Sequence, residues 1–307
     1  MSTPSSLVMD NPSAIRSKAL ALAAMLLAAS SMAIAFPLVT LALQVTDPLP
    51  LSAIRFVSAA ALALIWIVWM RAPFPSWPHV VRYLGCGLTG SACYSVFINM
   101  GQVTVSAGAA SFITNIIPIL TALIAWPMLG ERLNWAGWVG CIIGFAGTSF
   151  IAMGQPGGLS FGAGAMFIFL ASLAASIYFV LQKPLVEAYG AMPCTAYTLV
   201  FSALFLLPWF PQSIAQVSQA DTPTLLAIFG LFFFPTLLAC IGSAYALERL
   251  PAGVAASFYY PVAPLATFFA FIFLGDMPSI PTLLGGALAI LGTIMVARWG
   301  RAESAKL

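Results

Sequence analysis

Apolar residues run along this chain in ten stretches, close to 19–44, 51–70, 82–101, 107–129, 134–153, 161–182, 193–211, 224–246, 252–274 and 281–298, with short polar connections between them. Each approaches the roughly 20 residues that an α-helix needs to cross a hydrocarbon core about 30 Å thick. The pattern predicts ten membrane-spanning helices. Arg16 and Lys18 ahead of the first stretch, with ASSMA inside it, give the outline of a signal peptide. The run continues to about Val45, however, well past the roughly 7–15 residues of a signal core, and it reads as the first span.

Two of the stretches interrupt their own pattern. AGAASFITNIIPILTALIAWPMLGERL, residues 107–133, carries Asn115 and Pro118 near its middle, and AGVAASFYYPVAPLATFFAFIFLGDMP, residues 252–278, carries Tyr259, Tyr260, Pro261 and Pro264 there. A shift of 145 residues places Ala107 and Gly108 on Ala252 and Gly253, Leu129 on Leu274, Glu131 on Asp276, Gly140 on Gly285, and Gly147 and Thr148 on Gly292 and Thr293. Pro78 and Gly85 fall on Pro223 and Gly230 by the same shift, so the repeat is about half the chain. Five spans is an odd number, and the second copy therefore enters the membrane from the opposite side. The expected fold is an all-α membrane protein of ten transmembrane helices in two inverted five-helix repeats: 19–153 and 161–298, between cytoplasmic tails at 1–18 and 299–307.

Charge orients this arrangement. Ten of the eleven bases fall in the tails or in alternate loops, at Arg16, Lys18, Arg71, Arg82, Arg132, Lys183, Arg249, Arg298, Arg301 and Lys306, whereas the loops around Asp47, Ser106, Pro156, Asp221 and Asp276 hold none. By the positive-inside rule both termini are expected in the cytoplasm. The eleventh base, Arg55, lies inside the second span about four residues from its outer end. Two readings stand open for it: a side chain that snorkels to the interface, or a ligand or gate contact near the outer mouth.

Composition narrows the function classes. With 62% hydrophobic and 6% charged residues, against about 25% charged in soluble domains, the bilayer is the solvent, and a net charge of +3 gives no reason to expect nucleic acid. Cys86, Cys93, Cys141, Cys194 and Cys240 sit in apolar runs without Cys-x-x-Cys spacing and read as small buried hydrophobes; neither a metal nor a cofactor is expected. All eight acids lie in tails, loops or span ends, and the single histidine, His79, lies in a loop. No nucleophile and base, and no proton relay at the midplane, can be assembled from these. A non-enzymatic transporter working by facilitated diffusion or exchange is expected; a membrane receptor or structural subunit is the alternative.

The motifs LSAIRFVSAAALAL in the second span, LGERLNWAGWVGCIIGFAGTSFIA across the fourth and fifth, and LGDMPSIPTLLGGALAILGTIMVA near the end resemble those of the drug/metabolite transporter superfamily, specifically its ten-helix EamA-type transporters. The likeness spans essentially the whole chain, although the second copy has Asp276 where the family more often shows Glu. It implies a bacterial inner-membrane transporter, most similar to amino-acid and metabolite exporters including those for aromatic amino acids, with multidrug efflux as the other branch.

Inverted repeats usually hold their substrate near the midplane on interrupted helices. The candidate substrate residues are Ser31 on the first span, Tyr94 and Asn99 on the third, Ser111 and Asn115 on the fourth, Ser176, Tyr178 and Gln182 on the sixth, and Ser257, Tyr259 and Tyr260 on the ninth. Pro118, Pro261 and Pro264 are candidate hinges, since each removes a backbone donor. Packing kinks and helix-to-helix hydrogen bonds are the alternative for each. A cavity so lined would offer rings, hydroxyls and amides without formal charge, suiting a small amphipathic solute. The small residues Gly140, Gly144, Gly285, Gly286, Ala289 and Gly292 predict close packing of the fifth and tenth spans, in a chain expected to be monomeric, with a homodimer the other possibility.

Overall fold

A computed structural model describes residues 12–105, 107–153, 163–274 and 280–300. The N-terminal tail with Asp10, Ser106, the loop at Pro156, the 275–279 segment with Asp276, and the C-terminal Arg301, Glu303 and Lys306 lie outside the described residues.

The described residues form an all-α membrane protein whose helices group into ten spans. The first is Pro12–Ala33 with Ala35–Ala42 and the second Pro48–Met70. The third joins Trp77–Cys86, a π-helical segment Gly87–Cys93, and Tyr94–Gln102. The fourth is Ala107–Thr114 with Ile117–Leu129, and the fifth is Trp135–Met153. Then come Ala163–Tyr189 as the sixth, and the seventh from Ala191–Leu206 through a 3₁₀ turn, Leu207–Trp209, into Phe210–Val217. The eighth joins Thr222–Leu231, a second π segment Phe232–Leu238, and Ala239–Leu247. The ninth is Ala252–Ala256, Ser257–Tyr259 as a 3₁₀ turn, and Val262–Leu274, and the tenth is Ile280–Trp299. Eight of these are long and apolar enough to cross a membrane, and Trp135–Phe150 is a shorter apolar helix. Four ends differ clearly from the sequence expectation: the first helix begins at Pro12, which suits a first helical position, the third begins at Trp77, the sixth runs on to Tyr189, and the seventh continues past Pro208 to Val217.

The 145-residue shift carries the irregularities as well as the helices. The π segment 87–93 maps onto 232–238, and the unwound pair Asn115 and Ile116 maps onto Tyr260 and Pro261. Helix starts at Ile117 and Trp135 map onto Val262 and Ile280. Packing follows the same symmetry. The fifth span lies on the tenth, the second on the seventh, the fourth on the ninth, and the first lies on the eighth as the third lies on the sixth. All five of these pairs join opposite halves, so neither half encloses a core alone.

The fifth and tenth spans meet backbone to backbone. A Cβ at Gly147 would stand 2.5 Å from the Ala289 nitrogen, and one at Gly292 would collide with Gly144, the close approach that small residues permit between membrane helices. At one end of the bundle the base-bearing connections tie together. The Tyr197 hydroxyl reaches the Ala72 and Pro73 carbonyls at 3.2 and 3.1 Å, His79 meets Tyr189 at 2.9 Å, and Lys183 Nζ donates to the Leu247 and Leu250 carbonyls at 2.8 and 3.1 Å. Exposed Trp69, Trp77, Trp126, Trp135 and Trp299 ring this end, as aromatic side chains do at a membrane interface. At the other end, Asp47 accepts from Gln212 and Gln216 at 3.2 and 2.6 Å.

Candidate functional site

Between the halves lies a cavity whose walls come from the first, second, third, sixth, eighth and ninth spans. It runs from Tyr259, near the symmetric break in the ninth span, to Gln102, the last helical residue of the third span on the Asp47 side. Both π segments contribute, through Gly90 and Pro235, and such segments are frequent at functional sites. About 70 Å³ is open to water, room for a few water molecules but below the roughly 300 Å³ of ordinary ligand pockets. Admitting a solute therefore requires the walls to move.

The wall is largely aromatic. Phe179 meets Tyr178 and Tyr259 edge-on, each pair with ring centroids 5.9 Å apart. Tyr178 lies across Gly90 so closely that a Cβ there would strike its ring. Beyond these rings, toward the base-rich end, Met25, Tyr83, Ile117, Leu185 and Leu247 form a closed core. Over that core the Glu131 carboxylate, between the fourth and fifth spans, accepts the Ala252 N–H at 2.6 Å. It thereby caps the ninth span, where a negative charge suits the orphan amides and the helix dipole. Burial pushes the Glu131 carboxyl above its usual range, against the opposing pull of the Ala252 amide and Lys183. The base-rich end is thus shut, and the cavity extends toward the other.

Of the residues expected at the site, Tyr94, Tyr178 and Tyr259 line the cavity. The others are buried but placed elsewhere. Asn99 stands behind the wall, donating to Ser52 Oγ at 3.0 Å and the Pro48 carbonyl at 3.2 Å; Ser52 in turn meets the cavity-lining Ser95. Ser176 Oγ reaches the Ile117 carbonyl at 3.2 Å, and the Ser111 carbonyl accepts from Asn115 Nδ2 at 2.7 Å. Gln182 lies beside Cys194 at full burial, and Ser31 is buried off the lining. Ser257 Oγ bonds back to Val254, while its carbonyl, one turn before Pro261, accepts from Thr293 of the tenth span at 3.2 Å. A neighbouring helix thus satisfies a proline-freed group, as membrane proteins require.

Tyr260 faces away from the cavity and packs with Cys141, Val254 and Ala289 against Gly144. Its hydroxyl lies beside the Cys141 thiol but outside hydrogen-bond geometry. Pro261 and Pro264 border a separate apolar groove with Leu22, Leu26 and Ile290, and Pro118 is buried at the start of the second half of the fourth span.

One expectation is corrected outright. The cavity is not free of formal charge, because Arg55 lines it and is only 6% exposed. It does not snorkel: Nε donates to Thr236 Oγ1 at 3.2 Å, and the guanidinium carbon stands 5.5 Å from the Phe56 ring centre. Gln102, also on the wall, carried no sequence signal, lying at the polar end of a span next to a glycine.

Among the described residues, ten spans form two interlocked halves closed at one end over a small central cavity. The sequence model of the EamA-like transporter family matches the chain twice, over residues 19–153 and 162–298, and the chain belongs to that family. It is 31% identical over 213 residues to a protein described as "Probable terminal-alkyne amino-acid exporter" from Streptantibioticus cattleyicolor, covering 69% of this chain and 71% of that one. It is 27% identical over 258 residues to the uncharacterized transporter YdfC of Bacillus subtilis, covering 84% of each. A solved crystal structure superposes with a TM-score of 0.71 at 19% identity over 92% of this chain and 96% of the other, a likeness of fold.

Proposed function

We propose that this protein is a secondary transporter of the bacterial inner membrane that exports small amphipathic metabolites, amino acids above all, by facilitated diffusion or exchange. The observation that carries the reading is the central cavity: it sits between the halves, beside the paired breaks and π segments, packed shut toward the base-rich end. Inverted repeats that rock about such a site expose it to each side in turn. The base-bearing loops gathered at the shut end support a cytoplasmic location for that end and for both termini. Tyr94, Tyr178 and Tyr259 hold the solute by ring contacts, and the breaks at Asn115–Pro118 and Tyr260–Pro264 serve as hinges. The relative described as an amino-acid exporter agrees with the substrate class.

Purified protein in liposomes, loaded in turn with amino acids, sugars, nucleosides and cationic dyes, tests this by counterflow of labelled solute. Exchange of neutral amino acids is expected. Exchange of dyes alone would move the protein to multidrug efflux, and no exchange of any class would favour a receptor.

A further inference from the structure

Arg55 is a buried cation without a counter-ion. Among the described residues the ion pairs are Lys183 with Glu187 and Arg249 with Glu248, and no carboxylate reaches Arg55. A guanidinium has five N–H donors, and an uncompensated charge away from water is expensive. The protein nevertheless builds a holder for it. Pro235 has no N–H to offer the Leu231 carbonyl one turn back; the Thr236 hydroxyl donates to that carbonyl at 2.9 Å and accepts from Arg55 Nε at 3.2 Å. On the same cavity wall, Gln102 is 7% exposed, and neither its amide oxygen nor its amide nitrogen has a partner. Buried polar groups are nearly always satisfied. Two that share a small cavity and remain short of partners describe the ligand that would complete them.

We infer that Arg55 and Gln102 form a carboxylate-recognising subsite, and that the transported solutes carry a carboxylate and no net positive charge. The guanidinium supplies paired N–H donors matched to a carboxylate, and the Gln102 amide can donate to the same group or accept from a neighbouring ammonium. Among the described residues no acid lines the cavity. An ammonium would thus find no carboxylate, only the tyrosine faces and the neutral Gln102 amide oxygen, and a cationic amphiphile would meet Arg55 as a like charge. This deepens the transporter reading and rests on it for the word transported, whereas binding can be tested apart.

The experiment uses purified full-length protein and two probe sets of matched shape: L-phenylalanine, 3-phenylpropionate and phenethylamine, and L-leucine, 4-methylpentanoate and isoamylamine. Binding is read as ligand-dependent thermal stabilisation in detergent, and transport as counterflow in liposomes. At least one set should show both carboxylates binding and exchanging while its amine does neither. Arg55→Met should weaken carboxylate binding on the order of ten- to a hundredfold, the worth of a charge-assisted hydrogen bond, without lowering the melting temperature of the unliganded protein, since it removes an unpaired buried charge. Arg55→Lys should lose less, keeping charge but not the planar fork, and Gln102→Leu should weaken binding by about three- to tenfold.

An amine binding as well as its carboxylate partner, no stabilisation by any carboxylate, or wild-type carboxylate affinity in Arg55→Met would overturn the subsite. If Arg55→Met fails to fold, Arg55→Lys decides, with unchanged affinity counting against the proposal. Carboxylate binding that depends on Arg55 but comes without counterflow would keep the subsite and sink the transporter reading. Counterflow of amines alone would do the reverse.

Discussion

Replacing Gly90 by alanine adds one methyl group at the point where the third span passes the Tyr178 ring. Three ring carbons would lie within 2.8 Å of the new Cβ, whereas carbon atoms rest about 3.5–4.0 Å apart, so the ring must retreat by about 1 Å or more. Its other neighbours are the packed Phe179 edge and the closed core; the space that can receive it is the cavity, about 70 Å³. Overpacking a rigid core costs about 1–3 kcal/mol, but a ring that yields into a void should hold the loss of folding stability to about 1 kcal/mol or less. The solute then loses room and a correctly placed ring face, worth roughly 0.5–1.5 kcal/mol in the aromatic contact and therefore about two- to tenfold in affinity.

The assay pairs counterflow affinity with thermal melting for Gly90→Ala, Tyr178→Ala and the double variant. If the methyl acts through the ring, the double variant is no weaker than Tyr178→Ala alone, a coupling that a double-mutant cycle resolves. Wild-type affinity and melting in Gly90→Ala would refute the reasoning, as would strictly additive losses.

Gly292→Val should abolish folded expression, because its side chain would enter the backbone of Gly140 and Gly144 with nothing flexible to yield; fluorescence-detected size exclusion reports it. Tyr259→Ala should weaken transport about two- to tenfold, while Tyr260→Ala should instead destabilise by about 3 kcal/mol as a large core truncation, with Tyr260→Phe near wild type in a melting series. For Glu131, burial raises the folded-state pKa, so its contribution to stability is full below the unfolded value and is lost as pH rises through the raised one. Glu131→Gln should flatten that stretch of the melting-temperature profile; an unchanged profile would show that the carboxyl is not buried over Ala252.

The spans, the 145-residue repeat and the location of the breaks were legible because each has a sequence cause: an apolar run, a recurrent glycine or a proline. The facing of single side chains was not. Tyr259 and Tyr260 are adjacent, and about 100° of helical rotation sends one to the cavity and the other against Gly144. Nothing in a pair of tyrosines decides which. The π segments likewise lack a sequence signature, although Pro235 in FFFPTLL marks one of them and, through Thr236, the seat of Arg55. Arg55 stayed open between an interfacial base and a contact near the outer mouth because depth along a span can be counted, whereas the inward turn of a side chain depends on neighbouring helices. The repeat gives no help with the chemistry, since the shift takes Arg55 to Val200 and Tyr94 to Ala239. The scaffold is duplicated and the site is not.

The central claim is that the two ends of the bundle open in alternation. Spin-label distances in liposomes test it most directly, with one pair at Arg132 and Ala188, on opposite halves at the shut base-rich end, and another at Val103 and Gln219, on opposite halves at the other end. Alternating access predicts that exchangeable solute creates a longer-distance population at the first pair and a shorter one at the second, in matching proportion. Distances that stay fixed, or lengthen together, while solute exchanges would contradict it.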